Sequence, residues 1–179
     1  MKKYILSTIF TFFIISTVTF NGCILDAFKT LTQNIPLSKE FNVNSSATNY
    51  SQTAIVNLDS SSVYQRYSDS IEDIKFIRAQ YRTKSINQSG LAGTISLTIS
   101  DLSDNVLLQV SLGKIKPADY LNTPLELNLT QAQIDVFNSF LSSLSNKQFK
   151  VTLNITGISP TPYQFTGVVD MVFEMKANT

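Results

Sequence analysis

The chain has no histidine, no tryptophan and a single cysteine, Cys23. Without histidine or a second thiol there are no Ser-His-Asp triads, no Cys-His pairs and no metal centres built on those side chains. No catalytic residue, metal ligand set or cofactor is therefore assigned from the sequence, and the chain is read as a non-enzyme. Lack of tryptophan removes the strongest ring for stacking on a sugar or capping a cation. One cysteine cannot form a disulfide within its own chain, so the fold must be held by its core alone. Charge is also scarce and nearly balanced, with 14 basic and 13 acidic residues. That balance supplies no electrostatic excess for nucleic acid.

What the chain does have is a strongly marked start. Lys2 and Lys3 precede Tyr4 to Phe20, which carries no charge, and Phe20-Asn21-Gly22-Cys23 closes the run. This is the layout of a secretory signal. As a helix the apolar run would be about 25 Å long, short for a hydrocarbon core of about 30 Å. A removable signal fits better than a permanent anchor. Loss of Lys2 and Lys3 with the signal leaves the mature chain with one more acid than base.

Gly22-Cys23 resembles the end of the lipobox of bacterial lipoproteins, in which a small residue precedes a cysteine that is acylated before the signal is cut. Phe20 stands where that family usually has leucine or another aliphatic residue, and Asn21 is a less common neighbour. The resemblance covers only the first 23 residues and implies a diacylglyceryl thioether on Cys23. It further implies a membrane-anchored protein of the bacterial cell envelope, facing the periplasm or the exterior. An ordinary cleaved signal with an incidental cysteine, or an uncleaved signal anchor, are the competing readings. The lone cysteine falling where the apolar run stops favours lipidation. More than one acyl chain would hold the protein stably, where a single chain anchors only marginally.

These features divide the chain into a signal over 1–22, a lipidated tether over 23–34 and a single β-rich domain over 35–179. In the domain, apolar residues alternate at Ile35, Leu37, Phe41 and Val43, then at Ala54, Val56 and Leu58. Alternation of this kind marks half-buried strands. Val63, Tyr67, Ile71 and Ile74 fall at helical spacing after a cap among Asp59 to Ser62. Alternation returns at Ile77, Ala79, Tyr81 and Thr83, and in further runs around Ile95 to Ile99, Val106 to Leu112 and Leu125 to Leu129. Thr130 with Gln133 forms a capping box for a second helix striped by Ile134, Phe137, Leu141 and Leu144. Alternating runs from Phe149 and from Phe165 complete the chain, the last one containing Gly167, a mark of a bulge or of close backbone contact.

About eight strands with two short helices predict an antiparallel β-sandwich or a curved sheet. An α+β layout with both helices on one sheet face is the alternative. Asn57-Leu58-Asp59 and Asn128-Leu129-Thr130 begin similar strand-cap-helix-strand blocks, which predicts two similarly placed helices.

Candidate binding residues are few. Arg78, Arg82 and Lys84 share one face of a strand; a solvated sandwich face is the ordinary reading and anionic lipid headgroups the functional one. Tyr120 and Tyr163 sit in proline-containing loops, where they either pack under their own loops or edge a binding surface. Ser111-Leu112-Gly113-Lys114 and Ser103-Asp104-Asn105 match two motifs of the penicillin-binding and β-lactamase families, but in the wrong order, with no K-T-G and with Ser111 ending a strand. Asp101 to Asn105 lacks the spacing of a calcium loop and reads as a hairpin turn. The five N-x-[ST] sequences, at Asn44, Asn49, Asn87, Asn128 and Asn154, are expected to be unmodified in a bacterial lipoprotein.

Two functions follow. The first is a non-catalytic envelope lipoprotein whose domain binds or scaffolds a protein or glycan. The alternative is a carrier of a lipid or small hydrophobic ligand, with the three cations near its mouth. Nothing in the sequence sets an oligomeric state.

Overall fold

Strand patterning accounts for most of the architecture of the computed structural model, which describes residues 30–178. Cys23 and the signal segment lie outside that range. The elements are β1 (Thr30–Ser45), β2 (Tyr50–Asn57), α1 (Ser62–Tyr67), β3 (Ile71–Ile86), β4 (Ala92–Ser100), β5 (Val106–Ile115), β6 (Leu125–Glu126), α2 (Gln131–Leu141), β7 (Gln148–Ser159) and β8 (Tyr163–Asn178). Two four-stranded sheets form, ordered β1-β8-β3-β6 and β2-β7-β4-β5. Every pairing within them is antiparallel. Their inner faces meet as a sandwich, and this strand order is that of a jelly roll. The sandwich expectation holds, and the α+β alternative does not.

Four details differ from the sequence reading. β1 begins at Thr30, where Thr30 pairs with Asn178, so regular pairing reaches into the stretch expected to be tether. The first helix is a 3-10 turn over Leu58–Ser60 followed by α1, which ends at Tyr67. Ile71 and Ile74 belong instead to β3. They mimic helical spacing because an irregularity between Ile71 and Asp73 turns both toward the core. A second irregularity between Phe76 and Arg78 ejects Ile77, which is 47% exposed, and resets the inward phase to Ala79, Tyr81 and Thr83. Finally, the run from Leu125 pairs with β3 at Gln80 and Tyr81 only, extended by Leu127 N–H donating to the Ala79 carbonyl.

The capping box forms as expected. Thr130 Oγ1 accepts from Gln133 N–H, and Gln133 Oε1 accepts from Thr130 N–H. Gln133 also donates to the Gln109 carbonyl of β5, which ties α2 to an edge of the sheet. From α2, Phe137 enters the space between the sheets. Its ring lies 5.3 Å from that of Phe76, 5.2 Å from Phe149 and 6.1 Å from Phe173. Asn138 accepts from the Phe76 N–H beside the bulge, which keeps that backbone donor satisfied.

The cluster joins matching ends of the two sheets. Thr30, Asn178, the start of β3, the β4–β5 turn and both helices therefore lie at one end, hereafter the near end. The turns over 46–49, 87–91 and 160–162 lie at the far end. There the core is built around Tyr81, Tyr163 and Phe165. Gly167 makes room for Tyr81: a Cβ at that position would lie 3.0 Å from the tyrosine ring.

Candidate functional site

Arg78, Arg82 and Lys84 project from the outer face of β3, and each meets a carboxylate from another strand. Arg78 lies 3.6 Å from Glu126 of β6, Arg82 2.7 Å from Asp170 of β8, and Lys84 2.6 Å from Glu40 of β1. Ser38 adds a hydroxyl hydrogen bond to Asp170. The face is thus a charge-matched ladder running across the sheet. An anionic headgroup binding there would have to displace a carboxylate already in contact. Exposed pairs of this kind contribute about 0–1 kcal/mol each.

The two tyrosines do not join these cations in one site. Tyr120 closes a 3-10 turn over Pro117–Tyr120 and sets its ring edge-on to Tyr81, with centroids 6.2 Å apart. Tyr163 is buried at the start of β8, stacked on Phe165. Its hydroxyl lies near Ser45 yet makes no hydrogen bond of acceptable geometry with a protein group, and burial raises its pKa. Tyr163 belongs to the core, and Tyr120 is partly buried against it. Tyr81 itself is fully buried; burial pushes its hydroxyl up to about 12, against a hydrogen bond to Thr83 that opposes the shift.

The polar motifs resolve into turn chemistry. Asp101 accepts from the Asn105 side chain, the Asn105 N–H and the Ser103 N–H. The Asn105 side chain is the main reason its pKa is lowered. Asp104 has a positive φ of 69° and lies 2.7 Å from Lys150. Ser111 stays in β5 and accepts from the Gly113 N–H rather than opening a helix. Two sequon asparagines at the far end act as staples: Asn49 accepts from the Gly157 N–H and Asn87 from the Gln164 N–H. Among the described residues, no group of three or more Asp, Glu, His or Cys lies where it could hold a metal ion.

A cleft at the near end has no counterpart in the sequence reading. It encloses about 450 Å³ between the 3-10 turn after β2, the β4–β5 turn and the chain following α2. Asp59, Asp101, Ser103, Phe140, Asn146 and Lys147 are among its lining residues. Lys147 sits 3.6 Å from Asp59 and 5.6 Å from the centre of the Tyr64 ring. Its walls come from three separated loops, so no local spacing announces it. Chemically it is a polar recess whose cation is already neutralised.

No protein-family model matches the chain, and no curated protein matches it. Among solved structures, the chain resembles those titled empty-head turnip yellow mosaic virus (13% identity, 83% of this chain and 82% of that one, TM-score 0.43). It also resembles tobacco necrosis virus (10%, 83% and 97%, 0.44) and the decameric BFDV capsid protein (9%, 82% and 99%, 0.42). At this level of likeness the neighbours carry no argument about function.

Proposed function

We propose that the chain is a bacterial cell-envelope lipoprotein: a jelly-roll domain held on a membrane through acyl chains on Cys23, where it binds or scaffolds a protein or glycan without catalysis. The observation that carries this reading is the lone cysteine at the boundary of the apolar segment. Support comes from the fold, because β1 starts at Thr30, only a short connection beyond Cys23. A domain closed by pairing so near its anchor would be presented directly at the lipid surface.

The carrier alternative has less behind it. The space between the sheets is occupied by the Phe76, Phe137, Phe149 and Phe173 cluster at one end and by Tyr81 and Phe165 at the other. The cations expected at a cavity mouth lie on the outer face, paired with acids.

Membrane fractionation of the wild type beside a Cys23→Ala variant tests the proposal. Wild type is expected in the membrane fraction and resistant to salt extraction, with the variant released or left unprocessed. A wild type that leaves the membrane after signal cleavage would refute it.

A further inference from the structure

Surface apolar residues are unevenly placed on this sandwich. Single exposed aliphatics are ordinary on any protein, so only their grouping carries information. Leu102 (49% exposed) and Val106 (59%) flank the β4–β5 turn, and Leu144 (37%) follows α2. All three belong to the near end, where Leu102 also lines the cleft together with Phe140 and Ser145. The loops at the opposite end expose one large aliphatic side chain, Leu121 (40%), among the described residues. The turns over 46–49, 87–91 and 160–162 carry no charge and no exposed large apolar residue.

The near end is also where the chain leads toward Cys23. Thr30 opens β1 there, paired with the last described residue, Asn178. Cys23 lies seven positions earlier, a connection that reaches about 25 Å at most even when fully extended. A lipid on Cys23 would therefore keep Thr30, and with it this end, within about 25 Å of the bilayer surface. Lys147 and Lys150 are matched by Asp59 and Asp104, and Asp101 and Asp104 bracket Leu102, so electrostatic attraction to an anionic surface does not drive this contact.

We propose that the near end of the sandwich rests on the bilayer, with Leu102, Val106 and Leu144 entering the headgroup boundary and the far-end turns directed away from the membrane. This orientation rests on the lipoprotein reading and goes beyond it, because a tether alone fixes distance but not attitude. Its driving force is apolar burial, which scales with the area removed from water. Binding of this kind responds weakly to salt.

The test uses the full acylated protein in phosphatidylcholine vesicles containing brominated acyl chains. A fluorophore is attached to Ser103→Cys at the near end or to Ser89→Cys at the far end, Cys23 being blocked by its thioether. Quenching several-fold stronger at position 103 than at 89, unchanged by added sodium chloride, is expected. A Leu102→Ser, Val106→Ser, Leu144→Ser variant should lower quenching at 103 to the level at 89 while keeping its acyl mass. Equal quenching at the two positions overturns the orientation, and the comparison of the two labels does not depend on the triple variant folding. Concentration-dependent self-quenching at 103 also overturns it, in favour of a second copy covering that end. Intact mass without acyl groups defeats the lipoprotein reading itself, a distinct result.

Discussion

The two ends of the sandwich are filled by different chemistry. At the near end, Phe76, Phe137, Phe149 and Phe173 interlock with no polar atom among their rings. Toward the far end Tyr81 and Tyr163 join Phe41 and Phe165, and the two tyrosine hydroxyls are carried into the core. The first arrangement derives its stability from shape and apolar burial alone, while the second places groups whose ionisation is suppressed by burial. The difference is one of ring chemistry: the phenylalanine cluster between the sheets carries no titratable group, whereas the tyrosines toward the far end do.

The largest effect should come from breaking the phenylalanine end. Phe137→Ala removes the ring that α2 inserts between the sheets and should cost about 3–5 kcal/mol, read as a lower midpoint in urea with an unchanged slope. A loss below about 1 kcal/mol would mean that the helix is not part of the cooperative core. Alkali should act at the tyrosine end. Tyr81 has a folded pKa of about 12 against 10.0 when exposed, so its contribution is fully present below pH 10 and is lost as pH rises toward 12. This amounts to about 2–3 kcal/mol. Burial moves Tyr163 in the same direction, and also Tyr64 of α1, which adds a smaller alkaline sensitivity outside the phenylalanine cluster. Urea titrations at stepped pH should show the decline, and a Tyr81→Phe variant should flatten it.

Smaller changes sharpen the contrast. Gly167→Ala forces a methyl against the Tyr81 ring and should destabilise by about 1–3 kcal/mol, with partial recovery when combined with Tyr81→Phe, which removes the hydroxyl 3.4 Å from the same point. Tyr163→Phe deletes a buried hydroxyl that has no partner, and thermal melting should find it neutral or slightly more stable. A marked loss there would show that the hydroxyl is satisfied after all.

Much of this fold is legible in the sequence because strands report burial through period two; Phe149 to Ile155 do so without interruption, and Ile35 to Val43 do so with Lys39 alone breaking the inward series. The capping box at Thr130 was equally readable, since both of its partners lie within one turn. β3 was harder. Its irregularities at Ile71 and Ile77 shift the phase of alternation, so Ile71 and Ile74 imitate a helix and Ile77 imitates a core residue. Such shifts are set by the partner strand, which a single segment cannot reveal. The candidate site was the least legible part. Arg78, Arg82 and Lys84 look like an open basic face until β1, β6 and β8 bring Glu40, Glu126 and Asp170 to them. The cleft and the apolar near end depend on loops that come together only in the folded chain.

The central claim, that Cys23 carries lipid and holds this jelly roll at a membrane, is tested most directly by the mass of the amino-terminal peptide from membrane-extracted protein. The expected result is a peptide beginning at Cys23 and heavier than its amino-acid sequence by a diacylglyceryl group, with further mass if its amine is acylated. An unmodified peptide beginning at or after Cys23, or one still carrying residues 1–22, would contradict it.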